Sequence, residues 1–312
     1  MNIILDCDPG QDDVISLLLA MASPGELEIL GVTTVAGNVP LALTQRNARI
    51  VCEIAQRKDV KVYAGCERPM LRKLVTAEYV HGDTGINGIE VYDPCHPLEA
   101  QHAVDYIIET IRSSEPGTIT LVPTGPLTNI AMAFVKAPDI VAKVKSIVLM
   151  GGAMREGGNC TPSAEFNIFV DPQAAQVVFE CGRPLTVMGL DVTHQVLCTS
   201  DRIERIRGLG SKAALAAAGM LSFFDQHDTA KYQSAGAPLH DPCTVAYLLQ
   251  PGLFEGRQCN VSIETQSELT MGNTAVDYWH VTDKPRNVNW IFAVDAEGFF
   301  DLLVSRLARY SD

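Results

Sequence analysis

Short runs of apolar and β-branched residues alternate with longer segments of helical periodicity along the first two thirds of the chain. The runs are apolar at most positions, which is typical of strands in a parallel sheet covered by helices on both faces. They are NIILD, LEILGVTTVAG, VKVYAG, TITLVPTG, KSIVLMGGA and PLTVMGLD. The helical segments between them include DDVISLLLAMA, LALTQRNARIVCEIAQR and QHAVDYIIETIRSS. This alternation predicts an α/β fold with an open, doubly wound, mostly parallel sheet.

Three stretches interrupt the alternation. Residues 66–97 form a long connection that contains Pro and Gly, and residues 211–232 form an Ala-rich helical segment. Near the end, CNVSIET and NTAVDYWHV predict a small antiparallel addition, followed by a strand, VNWIFAV, and a last helix, EGFFDLLVSRLARY. No repeat, low-complexity tract or linker divides the chain. We therefore expect a single domain over residues 1–312.

Composition and charge limit the classes of function. The 312 residues carry a formal net charge of −13, which argues against a nucleic-acid partner. No apolar run approaches the roughly 20 residues of a membrane span, and the N-terminus lacks a signal-peptide pattern. The nine cysteines are scattered and never spaced as CxxC, so they indicate neither a zinc site nor a disulfide framework. We expect a cytoplasmic protein with no membrane contact.

Four carboxylates follow the first apolar run within eight positions: Asp6, Asp8, Asp12 and Asp13. Ligands of such sheets bind at the carboxyl ends of the strands. The dipole of the next helix stabilises each nearby carboxylate by only about 0.3–1 kcal/mol. Two carboxylates about 4 Å apart repel by about 4 kcal/mol at an effective dielectric constant of 20. A bound cation would reverse this balance, and an all-oxygen site favours Ca²⁺ or Mg²⁺. The alternative is that Asp12 caps the helix and the others are solvated or hydrogen-bonded.

Further polar residues follow other predicted strands. LHDP places His240 and Asp241 before the apolar helix TVAYLL, and VPTGPLTN ends a strand at Thr124. The segment GGNCTPSAEFNIFVDP gathers three side chains that could orient sugar hydroxyls, namely Asn159, Glu165 and Asn167. The sequence thus predicts one site to which several strand ends contribute.

At this point the chain resembles a known family. DCDPGQDD looks like the DxDPGxDD signature of the nucleoside hydrolases, the inosine-uridine-preferring enzymes and their relatives. The motifs VAGN, HGDTG, PTGPLTNIA, LMGGA, AEFNIFVDP and a late HD match the family in the same order, over residues 1 to about 250. The resemblance implies an open α/β fold, a bound Ca²⁺ and cleavage of ribonucleosides into ribose and base. It also implies a homodimer or homotetramer.

The resemblance implies roles for individual residues. Asp8, Asp13 and Asp241 would bind calcium through carboxylate oxygens, and Thr124 through its backbone carbonyl. Asp8 would also take a proton from the attacking water. Direct attack by water with inversion is then expected, without a covalent ribosyl intermediate.

Other residues would bind the sugar or support the loop. Asp12 would contact the 2′-hydroxyl, and Asn167 the other secondary hydroxyls. Asn159 and Glu165 would hold the 5′-hydroxyl. The remaining implied residues are Asn38 and Met150, which would line the ribose pocket, and Asp6, an acceptor behind the ligands that steadies the loop.

The base should lie near two histidines. His240, next to the predicted ligand Asp241, is the candidate acid that protonates the departing base, and His81 is a second candidate base contact. Tyr232 stands where pyrimidine-preferring relatives tend to carry Tyr, although Asp228 stands where they often have Gln. The chain therefore leans towards uridine and cytidine, with inosine as a further substrate. The alternative for Tyr232 is that it packs its helix onto the body of the protein.

Three other functions compete with this interpretation. A haloacid-dehalogenase-like phosphatase also places DxD after a first strand, but here Pro9 and Gly10 follow it. A calcium-dependent nucleoside or sugar sensor would share the scaffold, but it would not need the base and acid pair of Asp8 and His240. A transferase acting on phosphorylated nucleosides would need a Gly-rich phosphate cradle or a basic clamp, and the predicted site has neither.

Overall fold

The computed structural model of the protein describes residues 1–232 and 234–311, and within these ranges it describes the side chains outside 225–232. The described residues form twelve strands. They are β1 (Asn2–Cys7), β2 (Glu28–Thr34), β3 (Val62–Ala64), β4 (Leu98–Glu99), β5 (Ile119–Pro123), β6 (Ser146–Met150), β7 (Leu185–Met188), β8 (Leu197–Cys198), β9 (Ala237–Pro238), β10 (Phe254–Ile263), β11 (Thr274–Asp277) and β12 (Val288–Val294).

Twelve α-helices lie within the same part of the chain, with two short 3-10 helices at Pro138–Lys143 and Pro251–Leu253. The α-helices are α1 (Gln11–Met21), α2 (Leu41–Ile54), α3 (Glu78–His81), α4 (Ala103–Ser113), α5 (Thr128–Lys136), α6 (Phe166–Val170), α7 (Pro172–Phe179), α8 (Leu190–Thr193), α9 (Ser200–Arg207), α10 (Lys212–Tyr232), α11 (Pro242–Leu249) and α12 (Ala296–Leu307). None of the described helices is long and apolar enough to span a membrane.

Ten of the strands form one sheet in the order β11-β10-β12-β7-β6-β5-β1-β2-β3-β4. From β12 to β4 all neighbours are parallel, whereas β10 pairs antiparallel with both β12 and β11. The predicted antiparallel addition is therefore present at one edge, and it joins the main sheet through β12. The expected α/β class, a mostly parallel sheet with an antiparallel portion, is confirmed.

Helices cover both faces of the sheet. Successive side chains of a strand point to opposite faces, and Ile3 and Leu5 of β1 accordingly belong to a different core cluster from Ile4. The first cluster is built largely with α1, α2, α10, α11 and α12, and the second with α4, α5 and α7. The apolar character of the strands on both faces follows from this double cover. It places β1, between β2 and β5, in the middle of the protein.

The long 66–97 connection contacts the Ala-rich helix α10. A Cβ on Gly88, whose φ is +110°, would lie 2.6 Å from the carbonyl oxygen of Gly219 in α10. Glycine is required here by both the backbone conformation and the close approach. This contact brings α3, which lies within the connection, and α10 to the same end of the sheet. That end is the carboxyl edge of β1.

Candidate active site

Asp8 follows β1 and lies in a narrow space between two loops. Its Oδ2 accepts a hydrogen bond from the backbone N–H of Asn38 at 2.7 Å, and its buried Oδ1 has no hydrogen-bond partner among the described residues. A Cβ on Gly37 would lie 2.0 Å from Oδ2, and one on Gly125 would lie 2.3 Å from Oδ1. The two glycines thus let the loops after β2 and β5 close around this carboxylate.

Asp13, in the first turn of α1, connects three segments of the site. Its Oδ2 accepts the backbone N–H of Gly10 at 3.0 Å and the Nδ2 of Asn38 at 3.3 Å. Its Oδ1 accepts the hydroxyl of Thr124 at 2.7 Å. Asn38 therefore contacts both Asp8 and Asp13, a role that the sequence motifs did not indicate.

Three carboxylates meet at the centre of the site. Oxygen atoms of Asp12, Asp13 and Asp241 all lie within 4.8 Å of one another, and all three residues are buried. Asp12 and Asp13 open α1, and Asp241 precedes α11, so two helix starts supply the group. Asp8 lies behind it and is linked to it through Asn38.

Burial and mutual repulsion destabilise the charged forms of these carboxylates. Burial raises the pKa of Asp8 and Asp241 well above the usual range, and the neighbouring carboxylates raise both further. Burial and the charge of Asp13 likewise raise the pKa of Asp12. The pKa of Asp13 is also raised by burial, although its hydrogen bonds from Gly10 and Thr124 oppose the rise. Such a group gains stability from either protons or a cation.

Asp6 lies below this group and is held by neutral donors. Its Oδ1 accepts the hydroxyl of Thr33 at 2.6 Å and the Nδ2 of Asn129 at 2.8 Å. Asn129 also donates to the backbone carbonyl of Thr34 and accepts the N–H of Cys66, so it joins β2 to the start of the long connection. Burial raises the pKa of Asp6 to about 7.

Ten of the residues singled out from the sequence line one pocket above the carboxylates. They are Asp12, Asn38, His81, Thr124, Met150, Asn159, Glu165, Asn167, His240 and Asp241. Asp6, Asp8 and Asp13 lie beneath this lining. The side chains of Asp228 and Tyr232 fall outside the described residues.

One wall of the pocket is built around α6. Asn167 donates through Nδ2 to the carbonyl oxygens of Thr124 at 2.7 Å and Met150 at 3.2 Å. The carboxylate of Glu165 accepts the backbone N–H groups of Gly152, Asn167 and Ile168, so it caps α6 as well as lining the pocket. Asn159 accepts the N–H of Phe166, which closes the loop before α6.

Both histidines of interest are buried and held through Nδ1. The Nδ1 of His81 lies 2.6 Å from the Oε1 of Gln11, and the Nδ1 of His240 lies 2.8 Å from the hydroxyl of Thr193. The ring of His81 stacks on Phe224 of α10, with centroids 5.7 Å apart and planes at 15°. The long connection and α10 therefore meet over the pocket.

Five lining residues were missed in the sequence interpretation: Ala77, Tyr79, Val80, Phe166 and Phe224. Ala77, Tyr79 and Val80 come shortly before the HGDTG motif, and Phe166 lies within AEFNIFVDP, so proximity in sequence was an available signal. Phe224 carried a weaker signal, because an aromatic residue in an Ala-rich helix is equally compatible with core packing.

Comparison with known proteins extends over the whole chain. The sequence model of the family described as inosine-uridine preferring nucleoside hydrolase matches residues 3–301. A pyrimidine-specific ribonucleoside hydrolase RihA from Shewanella sp. (strain MR-7) is 50% identical over 310 residues, which cover 99% of this chain and 96% of that protein. An uncharacterised protein from Schizosaccharomyces pombe is also 50% identical, over 99% of both chains.

Solved structures give the same result. The purine-preferring ribonucleoside hydrolase from Gardnerella vaginalis superimposes with a TM-score of 0.92 at 34% identity, covering 99% of this chain and 98% of its own. The resemblance inferred from the ordered motifs is confirmed. The chain belongs to the inosine-uridine preferring nucleoside hydrolase family, and it is a ribonucleoside hydrolase that acts on N-glycosyl bonds.

Proposed function

We propose that this enzyme is a calcium-dependent hydrolase that prefers the pyrimidine ribonucleosides uridine and cytidine, with inosine as a further substrate. The observation that carries the proposal is the buried carboxylate group beneath a pocket that His81 and His240 also line. Relatives about 50% identical that are named pyrimidine-specific support the base preference.

The donor set fits a hard cation. The converging oxygens of Asp12, Asp13 and Asp241, with the unpartnered Oδ1 of Asp8 nearby, are all carboxylate atoms, which Ca²⁺ prefers. The carbonyl oxygen of Thr124 already accepts from Asn167, and its second lone pair could serve as a ligand. In the proposal Asp8, Asp13, Asp241 and Thr124 hold the ion. When bound, calcium supplies positive charge that offsets the carboxylate repulsion and lowers the pKa of water in its shell.

The ribose lies between the carboxylates and the α6 wall. Asp12 accepts the 2′-hydroxyl, and Asn167 and Asn159 contact other hydroxyls through amide atoms that line the pocket. Glu165 fixes this wall by capping α6 and contacts the 5′-hydroxyl. A 2′-deoxyribonucleoside lacks the group that Asp12 binds, so it should be a poor substrate.

The transition state of hydrolysis carries opposite charges on the ribose ring and on the base. As the C1′–N bond lengthens, the ribose ring becomes cationic and the buried carboxylates stabilise it. Asp8 takes the proton of the attacking water through Oδ1, and direct attack inverts the configuration at C1′. The electron pair of the broken bond leaves with the base.

His240 delivers a proton to the departing base. Its Nδ1 is held by Thr193, so the transfer runs from Nε2. His81 contacts the base from the side of the long connection. Tyr232 and Asp228 of α10 contribute base contacts in the proposal, which for these two residues rests on the sequence alone.

The charges of the pocket favour free nucleosides over nucleotides. The described residues that line it include three carboxylates and no Lys or Arg. A phosphate group would meet repulsion there. This observation also disfavours a transferase that acts on phosphorylated nucleosides.

Assembly and location complete the proposal. We infer a homodimer or homotetramer, as expected from the family, and a cytoplasmic location. The nine cysteines are all free, which fits a reducing compartment.

The test is release of ribose as reducing sugar from uridine, cytidine, inosine and adenosine. Asp8→Ala should abolish release while calcium is supplied in excess. Asp201→Ala, at an exposed position in the first turn of α9, is the matched control and should retain full activity.

The pattern of products separates the alternatives. Ribose formed fastest from uridine or cytidine supports the proposal, and ribose formed only from purine nucleosides refutes the base preference. Tight binding of uridine without ribose release by the calcium-loaded protein would favour a sensor. Phosphate released from a panel of monoesters would favour a phosphatase.

A further inference from the structure

Gln11, the first residue of α1, lies in the DCDPGQDD motif and connects it to the side of the pocket where the base is proposed to bind. It is fully buried, and its amide contacts the long connection rather than solvent. Its Nε2 lies 2.9 Å from the carbonyl oxygen of His81 and 3.3 Å from that of Asn87. Its Oε1 lies 2.6 Å from Nδ1 of His81.

These three contacts determine that Nδ1 of His81 carries a hydrogen. The two backbone carbonyls can only accept hydrogen bonds, so the amide NH₂ of Gln11 must face them. The amide oxygen then faces Nδ1 of His81, and it too can only accept. Nδ1 therefore carries a hydrogen, and in the neutral imidazole the lone pair is on Nε2.

The ring is also fixed in position. It is 7% exposed, stacks on Phe224 and lines the pocket beside His240. Its Nδ1 edge lies against Gly10, where a Cβ would come within 2.6 Å of Nδ1. A flip of the ring would place the carbon Cδ2 against Oε1 of Gln11 and lose this hydrogen bond.

We propose that Gln11 is a positioning residue that makes His81 a hydrogen-bond acceptor for the base and thereby favours uridine over cytidine. This inference rests on the proposed pyrimidine nucleoside hydrolysis. Uracil presents N3–H, a donor that Nε2 accepts. Cytosine presents a lone pair at N3, which cannot donate to Nε2 and repels its lone pair. The mismatch should lower kcat/KM for cytidine about tenfold relative to uridine.

The first test reads the ring of His81 directly, without substrate. In long-range ¹H–¹⁵N NMR spectra of histidine-labelled protein, a protonated ring nitrogen resonates far from one that carries a lone pair. A His81→Asn variant assigns the signal. We expect the Nδ1–H form in the wild type and a mixture of both forms in Gln11→Met. An Nε2–H ring in the wild type would overturn the inference.

The second test uses the ratio of kcat/KM for uridine to that for cytidine, because a general loss of activity cancels in it. The ratio should fall at least severalfold in Gln11→Met. It should fall in Gln11→Glu as well, because a carboxylate cannot donate to the carbonyls of His81 and Asn87 and favours the doubly protonated ring, whose Nε2–H donates. An equal ratio in the wild type and Gln11→Met refutes the role of Gln11. Absence of ribose from every nucleoside would refute the proposed function instead, and the NMR result separates the two failures.

Discussion

The hydroxyl of Thr193 lies 2.8 Å from Nδ1 of His240, and both side chains are buried. In the proposed mechanism, this bond orients the imidazole so that Nε2 protonates the departing base. Thr193→Val should lower the kcat for uridine about threefold to tenfold, the effect of one net hydrogen bond. Thr193→Ser retains the hydroxyl and should retain most of the activity.

The Thr193→Val variant also distinguishes a loss of His240 positioning from a general loss of activity. A nitrophenyl riboside has a leaving group that departs without a proton, so Thr193→Val should hydrolyse it at close to the wild-type rate. Equal losses on uridine and on the nitrophenyl substrate would contradict the role of Thr193 in acid catalysis.

Gly125→Ala should disrupt the proposed calcium site without unfolding the protein. A Cβ here would lie 2.3 Å from Oδ1 of Asp8, so that carboxylate must move. We expect calcium affinity to fall at least about tenfold in isothermal titration calorimetry, with an unchanged circular dichroism spectrum. Gly252→Ala is the control, because a Cβ at Gly252 meets nothing within 4 Å. Unchanged calcium affinity in Gly125→Ala would argue against Asp8 as a ligand.

Asp241→Asn should change stability in opposite directions with and without calcium. In chelator, the variant removes one charge from a repelling buried group, so its melting temperature should rise by about 2 °C or more. In excess calcium it lacks one of the proposed ligands and should melt below the wild type. Scanning calorimetry under both conditions measures the two shifts, and a variant less stable than the wild type in both would refute the repulsion argument.

The calcium-free protein should lose stability as the pH rises from about 5 to about 7.5. The pKa of Asp6 is 3.8 in a model peptide and about 7 in the folded protein. The contribution of protonated Asp6 to the free energy of unfolding is fully present below pH 3.8, and it is lost as the pH rises through about 7. At about 1.4 kcal/mol per pKa unit, Asp6 alone accounts for up to about 4 kcal/mol.

Urea unfolding at several pH values, in the presence of a calcium chelator, measures the slope of the free energy of unfolding against pH. Asp6→Asn keeps the acceptor for Thr33 and Asn129 but cannot ionise, so its slope should be smaller. Stability of the calcium-free wild type that increased over this pH range would contradict a raised pKa in the folded state.

Tyr232→Phe should reduce the hydrolysis of uridine while leaving calcium binding intact. The expectation comes from the position of Tyr232 in the sequence, where pyrimidine-preferring relatives tend to carry Tyr. Steady-state kinetics with uridine and a calcium titration test it. Unchanged kinetics would remove this hydroxyl from the base site.

The elements that place the site could be predicted because their signals are local. An apolar run followed by Asp8, Pro9 and Gly10 marks the end of a buried strand, and parallel strands end at the same edge of a sheet. The acidic group, the strand of Thr124 and the start of α11 could therefore be assigned to one site from the amino-acid sequence.

Contacts between distant segments could not be predicted in this way. The bond from Gln11 to His81 spans 70 residues, and Gln11 occupies the variable position of its motif. Glu165 was expected to bind sugar, but only the backbone geometry of α6 reveals its three N–H donors. Such roles depend on conformation rather than on residue type.

The position of β1 has a consequence for how readily the protein is degraded in the cell. Asp8, Asp12 and Asp13 repel one another, and they follow the strand in the middle of the sheet, with helices over both faces. Their repulsion is therefore not relieved by fraying at an edge of the sheet. The chain must either bind protons or a cation there or open globally. When neither protons nor a cation occupy the group, the enzyme should be cleaved more readily by cellular proteases, so the occupancy of this group would control the abundance of the enzyme as well as its rate.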